Sequence, residues 1–264
     1  MENTSESLKS LVKEKYGKIA ENSGCCCRCS CGDAGLDFTV MSESYDSQEG
    51  YCEDADLSLG CGLPTEFADI KPGDHVLDLG SGAGNDCFVA RALVGETGKV
   101  TGLDFTDGML QKAELNNLKL GYKNVGFIKG DIENIPLTEG CQNVIISNCV
   151  LNLVPDKQKA FSEIFRVLKA GGHFCVSDIV LKGTLPEALQ HDAEMYAGCV
   201  SGAVQKEEYL EIIRLAGFNN IEIKKEKEIL LPDDILAKYL NDSDLKQFKN
   251  SKTGIFSITV TGRK

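Results

Sequence analysis

The segment Asp78-Leu79-Gly80-Ser81-Gly82-Ala83-Gly84 leaves few folds open to this chain. It joins an apolar run ending in Val76-Leu77-Asp78-Leu79 to a helical stretch from Asp86 to Val94. Its glycines let the backbone turn sharply and come close to a ligand. Strand, glycine turn and helix in that order make a βα unit. A second strand, Lys99–Asp104, precedes a helix over roughly 107–120, and further strands are expected near Val125–Ile128, Val144–Ser147 and Gly172–Asp178. The alternation predicts an α/β, doubly wound, mainly parallel sheet. Helices are expected at Glu187–Ala197 and Lys206–Ala216, while Ile221–Ile223 and Ile255–Val260 alternate like strands and should pair antiparallel at a sheet edge. A chain of 264 residues suits one such domain with additions.

The loop also limits what can bind it. A dinucleotide fingerprint needs G-x-G-x-x-G, whereas the third glycine here comes one residue early, Asp78 precedes the loop and no Lys or Arg lies within it. A pyrophosphate would be poorly served. S-adenosylmethionine has no phosphate and carries a sulfonium and an ammonium, so a carboxylate-flanked glycine loop matches its charge better. Asp104 ends the next strand 22 residues after Gly82 and is placed to accept hydrogen bonds from two ribose hydroxyls. A turn without a ligand is the alternative.

Charge and hydropathy exclude other partners. Lys plus Arg number 28 against 40 Asp plus Glu, a formal charge of −12 that repels phosphate backbones and anionic membranes, so neither nucleic acid nor a membrane surface is expected. No run approaches the roughly 20 apolar residues of a membrane span. The start, Met1-Glu2-Asn3-Thr4-Ser5, lacks the basic and apolar parts of a signal peptide, and a cytoplasmic location is expected. Twelve cysteines in a reducing compartment point to buried thiols, metal binding or redox chemistry.

Five of those cysteines crowd into Cys25-Cys26-Cys27-Arg28-Cys29-Ser30-Cys31. They follow an amphipathic stretch, residues 5–21, carrying Leu8, Leu11, Val12, Tyr16 and Ile19 at helical spacing. From Gly24 to about Gly62 the chain has little periodicity and reads as a long mobile flap. The expected organisation is a helix and Cys-rich flap over 1–64, then a cofactor-binding domain over 65–264 with a helical insertion near 183–204. The C-x-x-C of Cys26 and Cys29 and the C-x-C of Cys29 and Cys31 also suit zinc or copper(I), although no second C-x-x-C completes a structural zinc site.

Over residues 70–180 the chain resembles class I methyltransferases, through V-L-D-L-G-S-G-A-G, T-G-L-D-F-T-D-G-M-L, K-G-D-I-E-N-I-P and I-S-N-C-V-L-N-L. The resemblance implies a Rossmann-like, seven-stranded sheet with an antiparallel last strand. It places Asp131 on the adenine amino group, Ile132 and Met109 against the adenine ring, and Phe105 and Asn148 among the cofactor-binding residues beside Asp78, Gly80, Ser81, Gly82, Gly84 and Asp104. For Asp131 the plain alternative is a turn residue.

Three further segments resemble arsenite methyltransferases: Leu59-Gly60-Cys61-Gly62-Leu63-Pro64, Ser147 to Lys157 around Cys149, and Gly198-Cys199-Val200-Ser201-Gly202-Ala203. The opening Lys15-Tyr16-Gly17-Lys18-Ile19-Ala20 and the Cys-rich stretch are similar to microbial members. Trivalent arsenic is soft and is held by three thiolates in a pyramid that leaves its lone pair free to attack a methyl group. The resemblance makes Cys149 and Cys199 the lasting arsenic ligands, with Cys61 and one flap cysteine, Cys25 or Cys26, sharing in capture and redox exchange. Glutathione or thioredoxin would then reduce the disulfides that form. The alternative for each is a small buried hydrophobe, as for Cys87, Cys141 and Cys175.

The chain departs from longer relatives in having Leu59 where they carry an aromatic, Gly198 where they carry an acid, and an end at Lys264 where they continue. His75, His173 and His191 form no ligand set. Two other functions compete: methylation of a small organic acceptor such as a quinone precursor, and soft-metal binding on a silent methyltransferase fold.

Overall fold

Short apolar runs become strands buried on both faces. β1 (His75–Leu79), β2 (Lys99–Asp104) and β4 (Gln142–Asn148) are buried along almost their whole length, as strands covered on both sides by helices must be. The computed structural model describes residues 5–22, 43–186, 202–230, 233–237, 239–251 and 253–264. Cys25, Cys26, Cys27, Cys29, Cys31, Cys199, His191 and the helix expected at 187–197 lie outside the described residues.

With β3 (Val125–Lys129), β5 (Leu168–Lys182), β6 (Asn219–Ile229) and β7 (Gly254–Arg263), the strands form one seven-stranded sheet in the order β3-β2-β1-β4-β5-β7-β6. Pairing is parallel from β3 through β5, and β7 runs antiparallel to both β5 and β6. This is the expected class I methyltransferase sheet. The strand order reverses between β1 and β4, and a doubly wound sheet opens its ligand crevice at the carboxyl ends there. Leu79 aligns with Leu103 on one side and with Ser147 on the other, so the residues just beyond these strands meet at one edge.

Helices cover both faces. α1 (Ser5–Asn22), α2 (Pro64–Phe67), α3 (Asn85–Val94) and α4 (Asp107–Leu120) precede β3 or alternate with the first strands, and α6 (Lys206–Leu215) leads into β6. α3 buries Cys87, Phe88, Ala90 and Val94 against Val76, Val100, Val144 and Ile146. α5 (Lys157–Val167) and α6 bury Phe161, Ile164, Tyr209 and Ile213 with Phe174 of β5 and Phe218. The aromatic rings pack edge to face, with Phe174 and Phe218 centroids 4.7 Å apart; truncating fully buried Phe161 to Ala should cost about 3–5 kcal/mol.

α5 is not among the helices expected from the sequence, although Ala160, Phe161, Ile164 and Val167 share one buried face. No glycine or proline separates it from β5, which begins at the next residue, Leu168, so helix and strand signals run together. Its start is fixed by Asp156, whose side chain accepts the Lys159 N–H at 2.9 Å. Residues 43–62, read as the second half of a mobile flap, are seated on the domain: Tyr45, Ala55 and Cys61 are buried. Among the described residues no helix is long and apolar enough to cross a membrane.

Candidate functional site

A cleft with about 1150 Å³ of empty space, its open mouth included, lies at the carboxyl ends of β1, β2 and β4. Asp78, Gly80, Ser81, Gly82, Asp104, Phe105, Met109, Asp131, Ile132, Asn148 and Cys149 all line it. Gly84 does not. It starts α3 at φ +98, and a Cβ there would meet the Phe88 and Phe127 rings at about 3 Å, so its glycine is required by packing of the turn.

Asp104 organises the wall of the cleft beside the glycine loop. Its carboxylate accepts the Gly82 N–H at 3.0 Å and the Thr106 N–H at 2.8 Å, tying the glycine loop to the end of β2. Ser81 and Thr106 also line the cleft, and their buried hydroxyls have no hydrogen-bond partner among the described residues. Unmatched buried polar atoms carry a cost that a ligand removes. Asp78, Asp86 and Asp104 crowd the same floor. Burial, then the charge of Asp86, pushes the Asp78 carboxyl well above its ordinary value, against a bond donated by the Cys87 thiol at 3.2 Å. Burial raises Asp104 too, and it lifts Asp86 to about 6 against bonds from Asn148 and Tyr45. Three desolvated carboxyls around a cleft fit a cationic ligand and repel an anionic one. The chain's donors and acceptors therefore fit S-adenosylmethionine, with its sulfonium, ammonium and ribose diol, better than a dinucleotide.

The thiol side is apolar. Cys61 and Cys149 lie in one buried cluster with Val12, Leu153, Ile179, Leu181 and Ile255. Cys149 follows β4 in a left-handed conformation, φ +60, that L-residues adopt at a cost of roughly 1–2 kcal/mol, and its N–H donates to the Ser177 carbonyl at 2.8 Å. Cys61 donates its N–H to Asn148 Oδ1 at 3.0 Å and accepts from Ser257 Oγ at 2.5 Å. Tyr209 of α6 is wholly buried; burial, then the charge of Asp178, pushes its phenol well above its ordinary value, and its hydroxyl donates to Asp178 at 3.0 Å. Burial lifts the Asp178 carboxyl to about 7. Among the described residues no group of three or more His, Cys, Asp and Glu is arranged to hold a metal ion.

The family described as "Methyltransferase domain" matches residues 70–217. The arsenite methyltransferase of Halobacterium salinarum is 38% identical over 275 residues, covering 98% of this chain and 67% of that protein. That of Aquipseudomonas alcaligenes is 33% identical, covering 88% of this chain and 68% of that protein. The chain belongs to the arsenite methyltransferase family. It is an S-adenosylmethionine-dependent methyltransferase. The crystal structure of an arsenic(III) S-adenosylmethionine methyltransferase from Chlamydomonas reinhardtii superposes with a TM-score of 0.64 at 29% identity, covering 88% of this chain and 75% of that one.

In this member of the arsenite methyltransferase family the cleft holds three residues that sequence reasoning passed over. Asp86, at the start of α3, and Tyr45, from the expected flap, bond to each other at 2.9 Å within it. Lys9 of α1 reaches across the mouth and donates to Asp131 and Glu133 at 2.6 Å each. α1 is thereby laid over the acid that the methyltransferase resemblance assigns to adenine. Burial lowers the Lys9 pKa, but its two carboxylate bonds and their charge leave it raised overall. Cys87, read as a buried hydrophobe, also bonds to the carboxylate of Asp78. Cys175 sits buried in the sheet, where burial pushes its thiol pKa up.

Proposed function

We propose that this enzyme transfers a methyl group from S-adenosylmethionine to thiol-bound trivalent arsenic, supplied as arsenite and, after one transfer, as methylarsenite. The single observation that carries the reading is Cys149: it lines the cofactor cleft and shares a buried cluster with Cys61. A soft acceptor held there meets a cofactor held on the carboxylate side.

S-adenosylmethionine, when bound, supplies an electrophilic methyl on sulfur. Asp104 holds the ribose, Asp131, Ile132 and Met109 receive the adenine, and Asp78 with the loop at Gly80 to Gly82 faces the methionine end. Cys61, Cys149 and Cys199 hold arsenic as thiolates, leaving its lone pair directed into the cleft. Catalysis by the chain is then chiefly positioning, and no general base is needed, because the attacking atom carries no proton. Cys25 or Cys26 brings arsenic in, and the 1–64 segment serves as the cover of the 65–264 domain. Attack of the lone pair breaks the bond from methyl to sulfur and takes arsenic formally from +3 to +5; two cysteine thiolates, becoming a disulfide, return it to +3, and glutathione or thioredoxin then reduces that disulfide.

The test is incubation of purified protein with S-adenosylmethionine, glutathione and arsenite, followed by separation of arsenic species. Methylated arsenic formed with S-adenosylhomocysteine supports the reading. Arsenite bound without product would make the protein a soft-metal binder, and indifference to arsenite would point to an organic acceptor.

A further inference from the structure

Cys61 and Cys149 come from distant parts of the chain, so their separation depends on what ties the two segments together. The side chain of Asn148 bridges them directly. Asn148, immediately before Cys149, accepts the Cys61 N–H through Oδ1 at 3.0 Å and donates from Nδ2 to the Gly62 carbonyl at 2.8 Å. The two bonds bracket Cys61. The fit is close, for a Cβ on Gly60 would lie 2.6 Å from Asn148 Nδ2.

An amide side chain can present either end, and its surroundings decide which. Asn148 Nδ2 lies 2.7 Å from Tyr45 Oη, which lies 2.9 and 3.0 Å from the two Asp86 oxygens. An ionised carboxylate only accepts, so the phenol proton points to Asp86. Nδ2 then faces acceptors alone, the phenol oxygen at 2.7 Å, the Gly62 carbonyl at 2.8 Å and, more distantly, Asp86 Oδ2 at 3.2 Å, which turns Oδ1 toward the Cys61 N–H, with the phenol as the nearest of the three. The chain of bonds runs from the floor of the cofactor cleft to the backbone of a thiol and has one direction.

We propose that Tyr45 is a positioning residue for the acceptor: through Asn148 it holds the Cys61 thiol at the distance from Cys149 that arsenic requires. The inference rests on the arsenic reading above and deepens it. Tyr45 is buried, at 6% exposure, yet hydrophobic packing alone does not need its hydroxyl. Phenylalanine keeps the ring and deletes the bonds to Asp86 and Asn148.

The experiment is steady-state kinetics of Tyr45→Phe at saturating S-adenosylmethionine with arsenite and, separately, methylarsenite. A methylarsenic species has only two sites left for sulfur and depends less on Cys61. Arsenite kcat should fall about tenfold and methylarsenite kcat by less than about threefold. KM for S-adenosylmethionine and the calorimetric Kd of S-adenosylhomocysteine should both stay within about twofold. Amide exchange at Cys61 should quicken while that of β4 does not. Equal loss on both acceptors, a raised KM with unchanged kcat, or no loss at all overturns the proposal. Should the phenylalanine variant fail to fold, Asn148→Ala must give the same split between acceptors. A wild type that methylates no arsenite overturns the parent reading and this one with it; an active wild type with an unimpaired variant overturns the positioning role alone.

Discussion

The glycine loop and the pair of buried thiols are built on different length scales. Around the glycine loop, the bonds that tie it to the end of β2 span 22 or 23 residues, Gly82 to Asp104 and Gly80 to Leu103. On the thiol side they span 87 residues between Cys61 and Asn148, 103 between Tyr45 and Asn148, and 196 between Cys61 and Ser257. The chemistry differs as well. Carboxylates line the cleft beside the glycine loop, and an apolar cluster surrounds the thiols. In the proposed reading a cationic cofactor is received by charge from two adjacent βα turns, and a soft acceptor by sulfur that only the finished fold brings together.

The comparison breaks first at Cys149. Replacing it with Ser substitutes a harder oxygen ligand and should lower turnover of arsenite and methylarsenite by about 100-fold or more, with S-adenosylmethionine affinity unchanged. Cys199→Ser should act alike. Cys61→Ser should abolish arsenite methylation and spare methylarsenite. Kinetics on both acceptors, with calorimetry for the cofactor, separates these outcomes, and a Cys149→Ser enzyme of near-normal turnover would make the thiol structural.

Asp104→Ala should do the reverse, weakening S-adenosylmethionine binding roughly 10- to 100-fold while leaving arsenite binding to the thiols intact. Loss of arsenite binding in that variant would mean that the two sides are not separable.

A smaller effect follows from pH. Burial raises Asp86 from 3.8 to about 6. A raised carboxyl contributes stability that is fully present below its ordinary value and is lost as pH rises through about 6, so the ligand-free protein bears this cost at neutral pH. A cationic ligand offsets the ionised carboxylates. S-adenosylmethionine at 100 times its Kd adds about 2.7 kcal/mol of stability. At one fixed concentration its melting-temperature shift should be larger at pH 7.5 than at pH 5, and S-adenosylhomocysteine, without the sulfonium charge, should show less difference. Equal shifts at both pH values would remove the carboxylates from cofactor recognition. The smallest effect belongs to Lys9→Ala: the pair is partly exposed, so stability should fall by about 1 kcal/mol or less.

The length scales also decide what the sequence discloses. The glycine loop, Asp78 and Asp104 stand in consecutive motifs, so this wall of the cleft and the sheet that carries it are legible at once. Asp86 sits inside that stretch but reads as an ordinary first-turn acid of a helix. Tyr45 lies in a run without periodicity, and nothing local indicates that its hydroxyl meets Asp86 and Asn148. Lys9 reads as the polar face of an amphipathic helix, and only the docking of α1 on the cleft shows its partners. α5 has clear helical periodicity but loses its boundary against β5, because Val167 and Leu168 join helix to strand without a breaker.

The most direct measurement of the account is arsenic K-edge X-ray absorption on protein carrying one equivalent of arsenite in the presence of S-adenosylhomocysteine. The account predicts a first shell of sulfur alone in the wild type, with oxygen entering it in Cys149→Ser. An identical shell in the two proteins would contradict the placement of arsenic beside the cofactor cleft.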